Sequence, residues 1–133
     1  MHENYKEILY SIPTIECEGI NLRRHILNDA ESILEFASDE ETLRYLDWDG
    51  VKTIEEARKS IYDYYWSAPF FYAIVTKDTD KCIGTIDIRP DVNNDKMQFG
   101  YLLSRAFWGR GYMTQALSAM LDICFNKLNV NKV

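Results

Sequence analysis

Histidine and cysteine, which build most metal sites, are scarce in this chain, at two and three among 133 residues. His2 and His25 stand too far apart to suggest a ligand pair, and Cys17, Cys82 and Cys124 fall in no metal-binding spacing. No metal is expected. An odd number of thiols, each within an apolar element, points to reduced core cysteines in a cytoplasmic protein. No apolar run approaches the roughly 18 residues of a membrane span and no signal peptide opens the chain, so a membrane is not an expected partner. A basic block is also missing, and a net charge of −6 argues against nucleic acid. The excess acid suits either a basic partner, such as a peptide or polyamine, or simply a solvated surface. Repeats, low-complexity tracts and linkers do not occur.

What is present is 47% hydrophobic and 27% charged, the balance of a globular chain with a real core. Residues 1–13 form a short leader, where Tyr5, Ile8, Leu9 and Ile12 suggest an amphipathic turn ended by Pro13. Residues 14–24 read as a strand with an irregularity at Gly19. Asn28 and Glu31 have capping-box spacing before a helix buried through Ala30, Ile33, Leu34 and Ala37. A short helix over 42–46 and a polar loop follow. Thr53 and Glu56 form a second capping box, opening a helix that Pro69 closes. Residues 71–76 and 81–89 read as a hairpin and 96–103 as a further strand.

Residues 104–128 organise the rest. The apolar run Phe99, Gly100, Tyr101, Leu102, Leu103 leads into Phe107, Trp108, Gly109, Arg110, Gly111, Tyr112, Met113. Beyond it, Ala116, Leu117, Met120, Leu121, Cys124 and Leu128 recur at helical spacing, and residues 130–133 open another strand, parallel to 96–103. This is strand, glycine-bearing turn, helix. A helix start presents unpaired N–H groups and a partial positive charge. Gly109 and Gly111 lack a Cβ, so backbone N–H groups can approach a phosphate, and Arg110 adds charge. The reading is a pyrophosphate seat, against the plainer one of a tight turn. No Gly-Lys-Ser/Thr follows, and the third glycine of a dinucleotide fingerprint is missing.

The string from Gly100 to Leu117 resembles the acetyl-CoA signature of the GNAT family of N-acetyltransferases, most closely the branch that acetylates ribosomal-protein N-termini. In the pattern Gln/Arg-x-x-Gly-x-Gly/Ala this chain has Trp108, Gly111 and Met113. The resemblance covers about residues 14–133 and implies an α+β fold, a mixed, mostly antiparallel sheet flanked by helices. Relatives continue past the last strand with a helix and two strands, so the fold is expected to be C-terminally truncated. The stripe of the last helix, or the edge of strand 96–103, is then expected to lie open, with self-association or a complementing chain as the outcome.

The resemblance implies that acetyl-CoA is held by Leu102, Leu103 and Ser104 and by Trp108, Gly109, Arg110, Gly111, Tyr112, Met113 and Thr114, with a primary amine as acceptor. An α-amine at a protein N-terminus or a small amine is favoured. Its pKa of about 7.7–8.0, against 10.4 for lysine, leaves roughly 400-fold more neutral amine at pH 7. The chain also looks poor in bases: relatives often place Glu where Gln98 stands, and an amide takes no proton. Asp87 and Asp95 are nearby alternatives, and no catalytic acid or base is assigned. Asp47, Trp48 and Asp49 lie in a loop that lines the acceptor site in similar proteins, where carboxylates and an aromatic suit an ammonium. The competing reading is a truncated, non-catalytic relative that binds CoA or a protein partner.

Overall fold

The computed structural model describes residues 1–44, 46 and 48–133. Among them, five strands form one sheet in chain order, every neighbouring pair antiparallel. They are β1 (Thr14–Glu16), β2 (Ile20–Arg23), β3 (Phe71–Thr76), β4 (Cys82–Asp91) and β5 (Lys96–Leu103). The helices are α1 (Tyr5–Tyr10), α2 (Ala30–Ala37), α3 (Glu40–Leu43), α4 (Ile54–Ser60) and α5 (Tyr112–Asp122). The central strand β3 is buried along its whole length, so it carries apolar residues on both faces. One face packs under α1 and α5 through Leu22, Tyr72, Ile86, Met97 and Met120. The other packs under α2 and α4 through Ile33, Ala57, Ile61, Phe71, Val75 and Leu102.

Residues 14–24 are two strands rather than one. Gly19 lies in the turn between them, and Cys17 N–H donates to Ile20 O at 3.0 Å. The expected Asn28 cap does not form and no side chain caps α2 itself: Leu27–Asp29 forms a 3₁₀ turn running into the helix, and the Asp29 carboxylate accepts from Ile26 N–H at 2.9 Å at the start of that turn. Arg23 makes the difference, because it grips both oxygens of Asp29 at 2.9 Å and holds them at the helix entrance. The second capping site forms with one exchange. Thr53 Oγ1 accepts from Glu56 N–H, while the Glu56 carboxylate accepts from Lys52 N–H. Both α4 and α5 end in wide π-turns, Ile61–Tyr65 and Ile123–Lys127.

Of the two surfaces expected to lie open, the helix stripe is closed only in part. Met120, Cys124 and Leu128 are fully buried, and Leu117 and Leu121 are half-buried. The outer edge of β5 meets a parallel bridge between Lys96 and Lys132, where Met97 N–H donates to Lys132 O at 2.9 Å. The parallel pairing expected from residues 130–133 therefore begins at that point. Arg24 ties the segment before β1 to the sheet. Its guanidinium donates to Leu9 O, Pro69 O and Phe71 O at 2.7–3.0 Å, and to Ile12 O at 3.5 Å. It also lies 4.1 Å from the centre of the Tyr72 ring. All three cysteines are free thiols, and burial pushes Cys82 up to about 12 and Cys124 to about 11. No helix of the described residues is long and apolar enough to cross a membrane.

His25 is buried and stacks on Tyr65 at 4.0 Å between ring centres, and neither ring nitrogen meets a partner among the described residues. Burial lowers its pKa from 6.5 to about 3. Below pH 6.5 the unfolded chain takes up a proton that the folded chain refuses, so this contribution is complete above pH 6.5 and lost as pH falls towards 3. Between pH 7 and pH 5 the loss amounts to about 2 kcal/mol. His25→Phe keeps the stack and removes the titration. Urea unfolding of the variant at both pH values is expected to show the acid loss reduced by that amount, and an unchanged loss would refute the assignment.

Candidate functional site

The last residues of β5 and the turn that follows form the site. Ser104 N–H continues the β4–β5 ladder by donating to Ile83 O at 2.7 Å. A 3₁₀ turn, Arg105–Phe107, then reverses the chain, and Trp108 Nε1 donates back to Leu103 O at 2.7 Å. Gly109 and Gly111 sit at φ +77° and +78°, in the left-handed region that side chains disfavour. A Cβ at either glycine would meet nothing within 4 Å, so both face open space. Gly111 is also the residue at which α5 begins, and no side chain caps that start. The first N–H groups of α5 are thus left to whatever occupies the space in front of them.

That space is a groove of about 390 Å³ lined by Leu102, Leu103, Trp108, Gly109, Gly111, Tyr112, Met113 and Thr114, all expected from the sequence. Ser104 and Arg110 belong to the same stretch without lining the groove; Arg110 is exposed, its guanidinium 5.1 Å from the centre of the Phe107 ring. Four lining residues had not been anticipated: Thr42, Leu46, Tyr101 and Phe107. Thr42 and Leu46 arrive from the α3 region because Asp39 and Arg105 lock that region to the turn. Arg105 donates to both Asp39 oxygens at 2.6 and 3.0 Å, and the same carboxylate caps α3 at Thr42. The Thr42 hydrogen bond, reinforced by Arg105, holds the Asp39 carboxyl below the usual carboxylate range. At the other side, Gln115 Oε1 accepts from Gly19 N–H at 2.9 Å and pins the first turn of α5 to the β1–β2 turn.

The groove runs along the outer edge of β5. Met97 N–H and Leu103 C=O both point outward, to Lys132 and to Trp108. By strand alternation, the backbone groups of Phe99 and Tyr101 face the same edge. The expected acceptor residues are more scattered. Asp47 lies outside the described residues; Trp48, Asp49 and Gln98 are exposed, and none of the three lines the groove. Of the two alternative carboxylates, Asp95 is engaged by the Met1 amino group and by Asn131, whereas Asp87 faces the α2/α4 side of the sheet. Among the described residues no three His, Cys, Asp or Glu side chains gather as metal ligands.

Comparison with known proteins gives the same fold and the same chemistry. The family profile "Acetyltransferase (GNAT) domain" matches residues 20–133. The chain is 30% identical over 125 residues to an uncharacterized N-acetyltransferase, p20, of Bacillus licheniformis, covering 90% of this chain and 70% of that protein. A GNAT-family acetyltransferase from Bacillus anthracis superposes with a TM-score of 0.77 at 20% identity, over 88% of this chain and 69% of that one. The ribosomal L7/L12 alpha-N-protein acetyltransferase RimL superposes at 0.68 with 18% identity, over 88% and 66%. Because the profile runs from β2 to the last residue and the groove falls wholly inside it, this chain belongs to the GNAT family and is an N-acetyltransferase.

Proposed function

We propose that the groove along β5 binds acetyl-CoA and that the chain passes the acetyl group to a primary amine, preferably a peptide N-terminal α-amine or a small amine. The observation that carries this is the uncapped start of α5 behind two left-handed glycines with open space before them. Such a start offers several N–H groups and the positive end of a helix to a pyrophosphate. Acetyl-CoA supplies an activated thioester: the neutral amine, its ammonium proton already lost to solvent, forms the new N–C bond, the C–S bond breaks, and the second proton that the nitrogen sheds passes to the departing thiolate. The chain's part is to hold and orient. Trp108 to Thr114 would take the phosphates, and the outward N–H groups of β5 would take carbonyl oxygens of the arm and the thioester. The preference for an α-amine rests on its larger neutral fraction and on Gln98, which cannot accept a proton. The fold shared with RimL agrees with it. Free, buried thiols support a reducing, cytoplasmic setting.

A second reading, CoA binding without transfer, is favoured by Gln98 alone; CoA-thiol release measured with mixed amines separates the two. Self-association or a complementing chain would use the outer edge of β5 and so compete with the cofactor there. The binding claim common to both readings is direct. CoA at 100 times its Kd is expected to stabilise the fold by about 2.7 kcal/mol. A folded sample whose melting temperature does not move at millimolar CoA would overturn it.

A further inference from the structure

On the sheet face beneath α2 and α4, cross-strand partners form two successive rows: Phe71, Asp87 and Gly100, then Ala73, Thr85 and Leu102. Leu102 lines the groove, so Asp87 stands one row, about 7 Å, from it. The Asp87 side chain is only 13% exposed, yet its ion-pair partner, Arg89 Nε at 2.9 Å, belongs to a side chain 61% exposed. The pair leans from β4 onto β5: a Cβ at Gly100 would collide with both Asp87 Oδ1 and Arg89 Nη2. Gly100 directly precedes Tyr101, whose backbone faces the outer edge. Three rings wall the place, with Tyr64 4.7 Å from Phe71 and Tyr65 5.4 and 5.8 Å from the two. Tyr64 is 53% exposed, so the wall opens to solvent.

A half-buried carboxylate, aromatic rings beside it and a loose cation laid across it are the elements of an ammonium site. We propose that Asp87 receives the acceptor amine in its ammonium form, that the amine gives up its ammonium proton to solvent before its nitrogen attacks the thioester, and that Arg89 is the amine's placeholder, leaving for solvent when the amine arrives. Gly100 is the vacancy that makes the position possible. Gln98, uncharged and exposed, has no such part. The proposal rests on the acetyl-transfer reading above and adds the acceptor's anchoring residue.

The test uses the ¹⁵N-labelled 133-residue chain at pH 7, titrated with CoA and separately with benzylamine and with benzyl alcohol, its neutral analogue. Benzylammonium is expected to shift the amide signals of Gly100 and Tyr64, and benzyl alcohol to leave them in place. Asp87→Asn is expected to weaken benzylammonium binding at least tenfold, and Arg89→Gln, which removes the competing cation, to tighten it. No shift at Gly100, equal shifts with the alcohol, undiminished binding in Asp87→Asn, or weaker binding in Arg89→Gln would each overturn the proposal. Should Asp87→Asn fail to fold, the Arg89→Gln result decides. CoA shifts at residues 109–114 report the cofactor reading separately, so either can fail alone.

Discussion

Gly111→Val is expected to cost at least tenfold in CoA affinity while leaving the free protein folded. The residue sits at φ +78°, where a β-branched side chain is strained. That strain amounts to about 1–3 kcal/mol, within what a small domain tolerates. No steric penalty adds to it in the free protein, because the new Cβ meets nothing within 4 Å. The empty space that spares the fold is the space in front of the α5 N–H groups. A branched side chain standing there keeps a phosphate at a distance, and a shift of the helix start disturbs every N–H that would hold it. Calorimetric titration with CoA, alongside urea unfolding of the same variant, reads both quantities. Binding equal to the parent's would place the pyrophosphate elsewhere.

Arg24→Met is expected to destabilise the protein by about 3 kcal/mol. One guanidinium serves Leu9, Pro69 and Phe71 carbonyls and reaches towards Ile12. Methionine fills comparable space but takes the guanidinium donors from the Pro69 and Phe71 carbonyls in a half-buried place, while Leu9 O keeps only its bond from Ile12 N–H. Arg24→Lys is no substitute, since a single ammonium cannot satisfy carbonyls that diverge around a planar fork. It should recover less than half of the loss. Urea midpoints of the three proteins measure this, and a loss in Arg24→Met below about 1 kcal/mol would show that the carbonyls find other partners.

The parts of the fold legible in the sequence are those fixed by neighbours along the chain. Strand β5 has the expected bounds, and the glycine turn runs into α5 as its periodicity requires. The misread parts were decided elsewhere in the molecule. The entrance to α2 is a 3₁₀ turn whose start is held by Asp29 rather than Asn28, and Arg23 of β2 reaches across to that carboxylate. The break at Gly19 was visible, since Cys17 and Ile20 fall on opposite parities of one strand, but a bulge and a hairpin leave the same trace. Ten of the twelve residues that line the groove come from one stretch of chain, Tyr101 to Thr114. Thr42 and Leu46 came from the Asp39–Arg105 pair, whose members lie 66 residues apart and carry no pattern that joins them. Asp87 was visible only as a strand-end carboxylate, and its meaning lies in Gly100 on the neighbouring strand.

The π-turn after α5 sets a constraint of its own. Ala116, Met120, Cys124 and Leu128 are all fully buried at a strict interval of four. In an α-helix of 3.6 residues per turn, each such step overshoots by about 40°, and after three steps the last residue would have rotated off the core. The wider turn over Ile123–Lys127 rotates less per residue and brings Leu128 back beneath the sheet. The segment therefore carries one residue more than a regular helix would need to reach the same phase. With one residue deleted there the segment could close into an ordinary α-helix, in which eleven steps of about 100° still bring Leu128 to within about 20° of the Ala116 direction, whereas inserting one would carry Leu128 and Val130 off the core together.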